Sequence, residues 1–181
     1  MSPRGTIAAL IIAAAAAPSL AQSEPQQFAF TYSDAITLAT GSVNATPNGD
    51  GSFTAFSGTL TITGSSFDGV YTLWQNPLAP STSYSPSGRF IVDNQVFPSS
   101  PSLLTVYGLL FVSESREVNI WGNGDGNPWS LWSSAGSGYD YSNDQGSLVY
   151  TEGAAPPPSV PTPGTIAFAA AGLLLIARRK R

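Results

Sequence analysis

From residue 28 to residue 150 the chain alternates apolar and polar positions in short runs broken by glycine, asparagine, aspartate, proline and serine. Alternation with a period of two puts successive side chains on opposite faces of an extended chain, so each run predicts a half-buried β-strand. In residues 58–63, Leu60 and Ile62 fall on one face while Thr59, Thr61 and Thr63 fall on the other. The same pattern predicts strands over 28–32, 53–56, 70–74, 88–92, 117–121 and 146–150. Residues 103–112 are apolar on both faces and are expected to form the central strand, with Gly108 marking a bulge or a close backbone approach. No window carries a sustained helical period.

The breaks in the pattern supply the turns. Asn48-Gly49-Asp50-Gly51, Asp68-Gly69 and Asn143-Asp144-Gln145-Gly146 contain residues that tolerate positive φ, as tight hairpins require. Residues 77–86 and 98–101 are too rich in proline to pair in the middle of a sheet and are expected to be edge loops. Short strands with frequent turns predict an all-β fold, a single antiparallel β-sandwich or jelly-roll-like domain, with a barrel as the related architecture.

Both ends of the chain abandon this alternation. Arg4, an apolar stretch over 7–17 and the small-residue site Pro18-Ser19-Leu20-Ala21 predict a signal peptide over residues 1–21, with Ser19 and Ala21 at the constrained positions of the cleavage site. Cleavage then leaves a mature chain starting at Gln22 and implies the general secretion machinery and signal peptidase as partners. After a domain over 22–153, the linker 154–159 begins Ala154-Ala155-Pro156-Pro157-Pro158, a composition that favours an extended polyproline stalk. An uninterrupted apolar run over 166–177 then meets Arg178, Arg179, Lys180 and Arg181. Such a run partitions into lipid while the cations stay on the cytoplasmic side. It is shorter than the roughly 20 residues that span a bilayer comfortably, and snorkelling arginines narrow the gap, so a short transmembrane helix is expected.

Residues 160–181 as a whole resemble a PEP-CTERM sorting signal, the element that directs exported proteins of Gram-negative bacteria to an exosortase. Val160, Pro161, Pro163, Thr165, Gly172 and the terminal cations match its pattern, while Thr162 stands where that family usually carries glutamate and Gly164 where it often carries serine. The resemblance implies that the motif 160–165 is recognised by an exosortase-like processing enzyme. It also implies passage through the inner membrane on the helix 166–177, and release or attachment at the cell surface. Proteins with this signal occur in bacteria that make abundant exopolysaccharide, which points to a structural or adhesive role in the extracellular matrix. It implies nothing about the activity of the domain itself.

Charge narrows the partners. Apart from the two ends, the cations are Arg89 and Arg116, set against all eleven acidic residues, which leaves the domain nine charges negative. Nucleic acid is excluded, because its recognition rests on neutralising phosphates. The chain has no cysteine, so packing alone must hold the fold, and no histidine. Without either, a serine nucleophile has no familiar base and a metal no thiolate or imidazole ligand. No cofactor is expected.

Three groups remain as candidate sites. Trp121, Trp129, Trp132, Tyr139 and Tyr141 crowd together among glycines and amides. Flat rings beside hydrogen-bonding groups suit sugar rings, so a carbohydrate-binding module for exopolysaccharide is one alternative; core packing of the same rings is the other. The module requires at least two of the tryptophans exposed and coplanar on one surface. Asn123, Asp125 and Asn127 alternate as oxygen ligands of a calcium loop can, yet Pro128 and Ser134 stand where a calcium-binding EF-hand needs glycine and glutamate, so a hairpin loop is expected there and no metal site. Finally, Glu114 with Glu117, or Asp140 with Asp144, are the carboxylate pairs a glycoside hydrolase would need about 5 to 10 Å apart. Glu114 and Glu117 are three apart and are expected on opposite faces of a strand, as solvated edge charges.

Overall fold

In the computed structural model the described residues are 24–124 and 128–153, and they contain no helix. Twelve strands follow in order: β1 (Gln26–Ser33), β2 (Leu38–Pro47), β3 (Phe53–Thr63), β4 (Gly69–Leu73), β5 (Ser83–Tyr84), β6 (Ile91–Val92), β7 (Gln95–Phe97), β8 (Leu103–Leu104), β9 (Leu109–Val112), β10 (Arg116–Gly122), β11 (Trp129–Ala135) and β12 (Gly138–Glu152). The all-β expectation holds. Eight of these strands form one antiparallel, barrel-like ring in the order β1, β2, β3, β4, β9, β10, β11, β12, and β12 returns to pair with β1. A sandwich or jelly roll was expected; the sheet is barrel-like, with each member of the ring paired to ring neighbours on both sides and β3 pairing β7 as well, and closure leaves no long edge to attract a foreign strand. The signal peptide, the proline-rich linker and the sorting motif with its helix and cations lie outside the described residues.

Alternation explains the interior. Phe28, Phe30 and Tyr32 from β1, Leu60 and Ile62 from β3, Leu109 and Phe111 from β9, Val118 and Ile120 from β10, and Leu131 from β11 all point into the ring and are buried. The threonines Thr59, Thr61 and Thr63 lie on the solvent side of β3 as expected. Other expectations change. The two runs 53–56 and 58–63 are one strand, β3, which carries an extra residue, Phe56, where its pairing with β2 shifts between Asn44 and Ala45. Strands β2 and β11 are additional to the predicted set, since their inward positions are filled partly by alanine or serine, as at Ala39, Ala45 and Ser133. The turn predicted over 143–146 lies instead inside the long strand β12, where register shifts against β11 absorb the irregular residues.

Residues 103–112 are not one central strand. They divide into β8 and β9 around a turn in which the Thr105 hydroxyl accepts the backbone N–H groups of Tyr107 and Gly108. The run is apolar on both faces because the segment 74–108, inserted between β4 and β9, divides its packing: Val96, Leu103 and Leu104 join the main core, while the part carrying Phe90 and Val92 folds back over the outside of the ring. Leu110 faces outward beneath it and joins Phe90, Val92, Trp74, Val112 and Trp132 in a second, smaller cluster. Of the predicted strand 88–92 only Ile91 and Val92 pair, with Ser83 and Tyr84, as a small hairpin on that outer wall.

Two buried polar residues pin the insertion. Asn94 receives the N–H of Leu110 on its side-chain oxygen and donates to the carbonyls of Trp74 and, through its backbone, Gly108, so one side chain ties both ends of the segment. Beside it Asp93 is 2 % exposed and accepts from the Thr105 hydroxyl and the Gln95 N–H. Burial pushes its carboxyl above the ordinary aspartate value, the two donors offsetting only part of that. An acid whose pKa is raised by folding favours the fold while protonated, so its contribution is complete below the unfolded pKa near 3.8 and declines as pH rises towards the folded value. Asp93→Asn is therefore expected to be more stable than the parent at pH 7, with the advantage shrinking to nothing in acid. Urea midpoints from pH 3 to 8 check this; a gap that does not vary with pH contradicts it.

Candidate functional site

Strand parity divides the five aromatic residues. On β11 the inward positions are Trp129 and Leu131, so Trp129 is buried in the main core and unavailable to a ligand. Tyr141 also turns inward, its ring 4.9 Å from Phe67 and its hydroxyl donating to Asp34 at 2.8 Å. Burial pushes the Asp34 carboxyl up, but the N–H groups of Ile36 and Thr37 and the hydroxyls of Tyr141 and Tyr32 together outweigh it and hold the group below its ordinary value. Burial also raises both tyrosines, Tyr32 the more strongly, so they act as neutral donors to a carboxylate. This network closes one end of the barrel.

Trp121, Trp132 and Tyr139 face outward. Their rings do not make a platform: Trp121 and Trp132 are 5.6 Å apart and tilted by 60°, and Tyr139 meets Trp132 edge-on at 80°. The coplanar pair required of a stacking site is not formed. Instead the rings fasten the inserted hairpin to the wall. Tyr139 packs edge-on against Phe90 and donates its hydroxyl to the Arg89 carbonyl, and the Trp132 indole N–H donates to Asp144 at 2.8 Å. Edge-to-face contact brings the positive rim of one ring to the negative face of the next, which is why such a seam tilts its rings.

The loop with calcium-like spacing is closed by Asn123, whose side-chain N–H groups reach the Pro128 carbonyl and the Ser130 hydroxyl. Asp125 and Asn127 lie outside the described residues. Among the described residues no three acidic side chains gather as metal ligands would.

The carboxylates depart most from expectation. Glu114 lies in the turn between β9 and β10 and Glu117 on β10, yet both line a single groove, because the turn reverses the chain before strand parity applies. Glu117 is not a solvated edge charge. It is buried beneath the inserted segment and accepts from the Ser85 hydroxyl at 2.7 Å, the Ser87 N–H at 2.7 Å and the Ser87 hydroxyl at 2.6 Å. Those donors occupy both oxygens and make Glu117 the anchor of the hairpin. Asp140 is paired with Arg116 at 2.5 Å, and Asp144 caps Trp132.

Three turns meet where Glu117 anchors the hairpin: 85–89 between β5 and β6, 113–115 between β9 and β10, and the turn at Gly136 between β11 and β12. They border a groove of about 420 Å³ on the outer wall. Both cations of the domain, Arg89 and Arg116, line it. The Arg116 guanidinium is committed to Asp140 and Ser133 and lies 5.5 Å above the Phe67 ring. The Arg89 guanidinium has no salt bridge among the described residues. Sequence reasoning assigned this groove no role, although the rarity of cations in so acidic a domain was a usable signal. No family model, curated protein or solved structure matches the chain.

Proposed function

We propose that this chain is an exported bacterial protein of the cell surface or extracellular matrix, sorted through residues 160–181 by an exosortase-like enzyme, with a barrel that serves a non-enzymatic, structural or adhesive role. The observation that carries the reading is the pairing of the first and last strands. Phe28 lies opposite Glu152, and the Gly153 N–H donates to the Gln27 carbonyl at 2.8 Å, so the chain enters and leaves the barrel side by side. A domain built this way hangs from a single stalk at one end and turns its opposite end and its walls outward. The barrel's ends also fall within a few residues of the predicted signal-peptide and linker boundaries.

A non-enzymatic role accords with the way the carboxylates are used. Glu117, Asp140 and Asp144 each hold another element in place, so both carboxylate pairs proposed for hydrolysis have lost at least one member to a packing task. Carbohydrate binding is the second reading. It is favoured by the groove on the outer wall rather than by the aromatic cluster.

Intact mass of the protein recovered from the cell surface and medium of its native host tests the sorting. A species starting at Gln22 and ending between Pro161 and Thr165 is expected. A species that retains Arg181 makes the tail a permanent anchor and overturns the sorting reading.

A further inference from the structure

We propose that the groove bounded by the three turns at Ser87, Glu114 and Gly136 binds a neutral, hydroxyl-rich saccharide chain, held between the Arg89 guanidinium and the Glu114 carboxylate. This deepens the adhesive reading above and rests on it for the source of the ligand. A guanidinium is a fork of donors with no acceptor, and a carboxylate only accepts. Each hydroxyl of a vicinal diol does both, so one group of each kind satisfies a pair of neighbouring hydroxyls that water would otherwise hold. The groove supplies one of each with no internal partner: no salt bridge involves Arg89 or Glu114 among the described residues.

The rest of the lining fits the same ligand. Ser113 and Ser115, both exposed, add hydroxyls that donate or accept as required. Charge selects against acidic polymers. Arg116 is neutralised by Asp140, so among the described residues of the groove Arg89 is the cation without a salt bridge, set in a strongly negative domain, and a polyanion is repelled at long range. The groove is open to solvent between turns, as passage of a chain requires.

The test is migration of the exported protein, recovered from its host, through native gels containing a soluble neutral glucan, a galactomannan or polygalacturonate. At least one neutral polymer is expected to retard it. Arg89→Ala and Glu114→Gln should each lose about tenfold in affinity, the equivalent of one charge-assisted hydrogen bond, with an unchanged melting temperature. Thr61→Ala, on the solvent side of β3, should bind as the parent does. The proposal is overturned if no neutral polymer retards the protein, if only polygalacturonate does, or if both groove variants bind like the parent. Mass analysis decides the sorting reading independently of the gels.

Discussion

Gly108→Ala is expected to prevent the domain from accumulating as a folded species. Gly108 has φ of 63°, where an alanine costs about 1 to 2 kcal/mol. The added methyl would also sit 2.0 Å from the Ile120 carbonyl oxygen and 2.7 Å from the Trp121 Cα. Both obstacles are backbone, so no rotamer change relieves them. Relief requires β9 to move off β10 at the Ile120–Leu109 pair, while the Gly108 carbonyl also holds Asn94. The combined loss is about 4 to 5 kcal/mol or more, comparable with the whole stability of a marginal domain. Circular dichroism and thermal melts of purified protein read the result. Gly49→Ala is the control: φ is 87° there but no atom lies within 4 Å of the added methyl, so only a conformational cost of about 1 kcal/mol remains. A Gly108→Ala protein that melts within a few degrees of the parent refutes the close approach.

Gly146→Ala is expected to lower the melting temperature by about 10 to 15 °C, from a loss of about 3 kcal/mol. Its methyl would lie 2.1 to 2.3 Å from two ring carbons and the hydroxyl oxygen of Tyr32. Tyr32 is fully buried and its hydroxyl donates to Asp34, so the ring moves only by breaking that bond and disturbing its neighbours. A double-mutant cycle separates this clash from a general weakening of β12. In the Tyr32→Ala background the alanine at 146 meets an emptied site and should add almost no further loss. Additive losses would show that the Tyr32 ring is not the obstacle.

Gly146 and Gly108 also show how far the sequence could be read. Gly108 stood out because a glycine inside an apolar run signals close backbone approach. The identity of the approaching group, the Ile120 carbonyl, depended on β9 and β10 being paired. Gly146 looked like the last residue of a turn. Its role is to leave room for a tyrosine on a strand that is distant in sequence and adjacent only because the ring closes.

The groove follows the same division. Arg89 and Arg116 could be singled out by composition, and Glu114 and Glu117 as a carboxylate pair. That all four line one surface follows from three turns converging, which depends on the insertion folding back over the wall. The three-residue spacing of the glutamates was taken to separate them, and it would do so on a continuous strand; the turn at 113–115 removes that premise.

By itself the sequence determined that the domain is all-β, because a period of two is a local property enforced by the pleat. It determined that Leu60 and Ile62 point inward while the threonines beside them point to solvent, that the domain is strongly acidic, and that both ends replace the alternation with an apolar run next to cations, since these follow from composition and order. Only the tertiary structure decided that the sheet closes on itself, that Trp129 and Tyr141 turn inward while Trp121, Trp132 and Tyr139 seam the insertion to the wall, and that Glu117 is buried under serine donors. Closure, burial and pairing are set by contacts between residues far apart in the chain. Local alternation limits which faces meet but does not choose their partners.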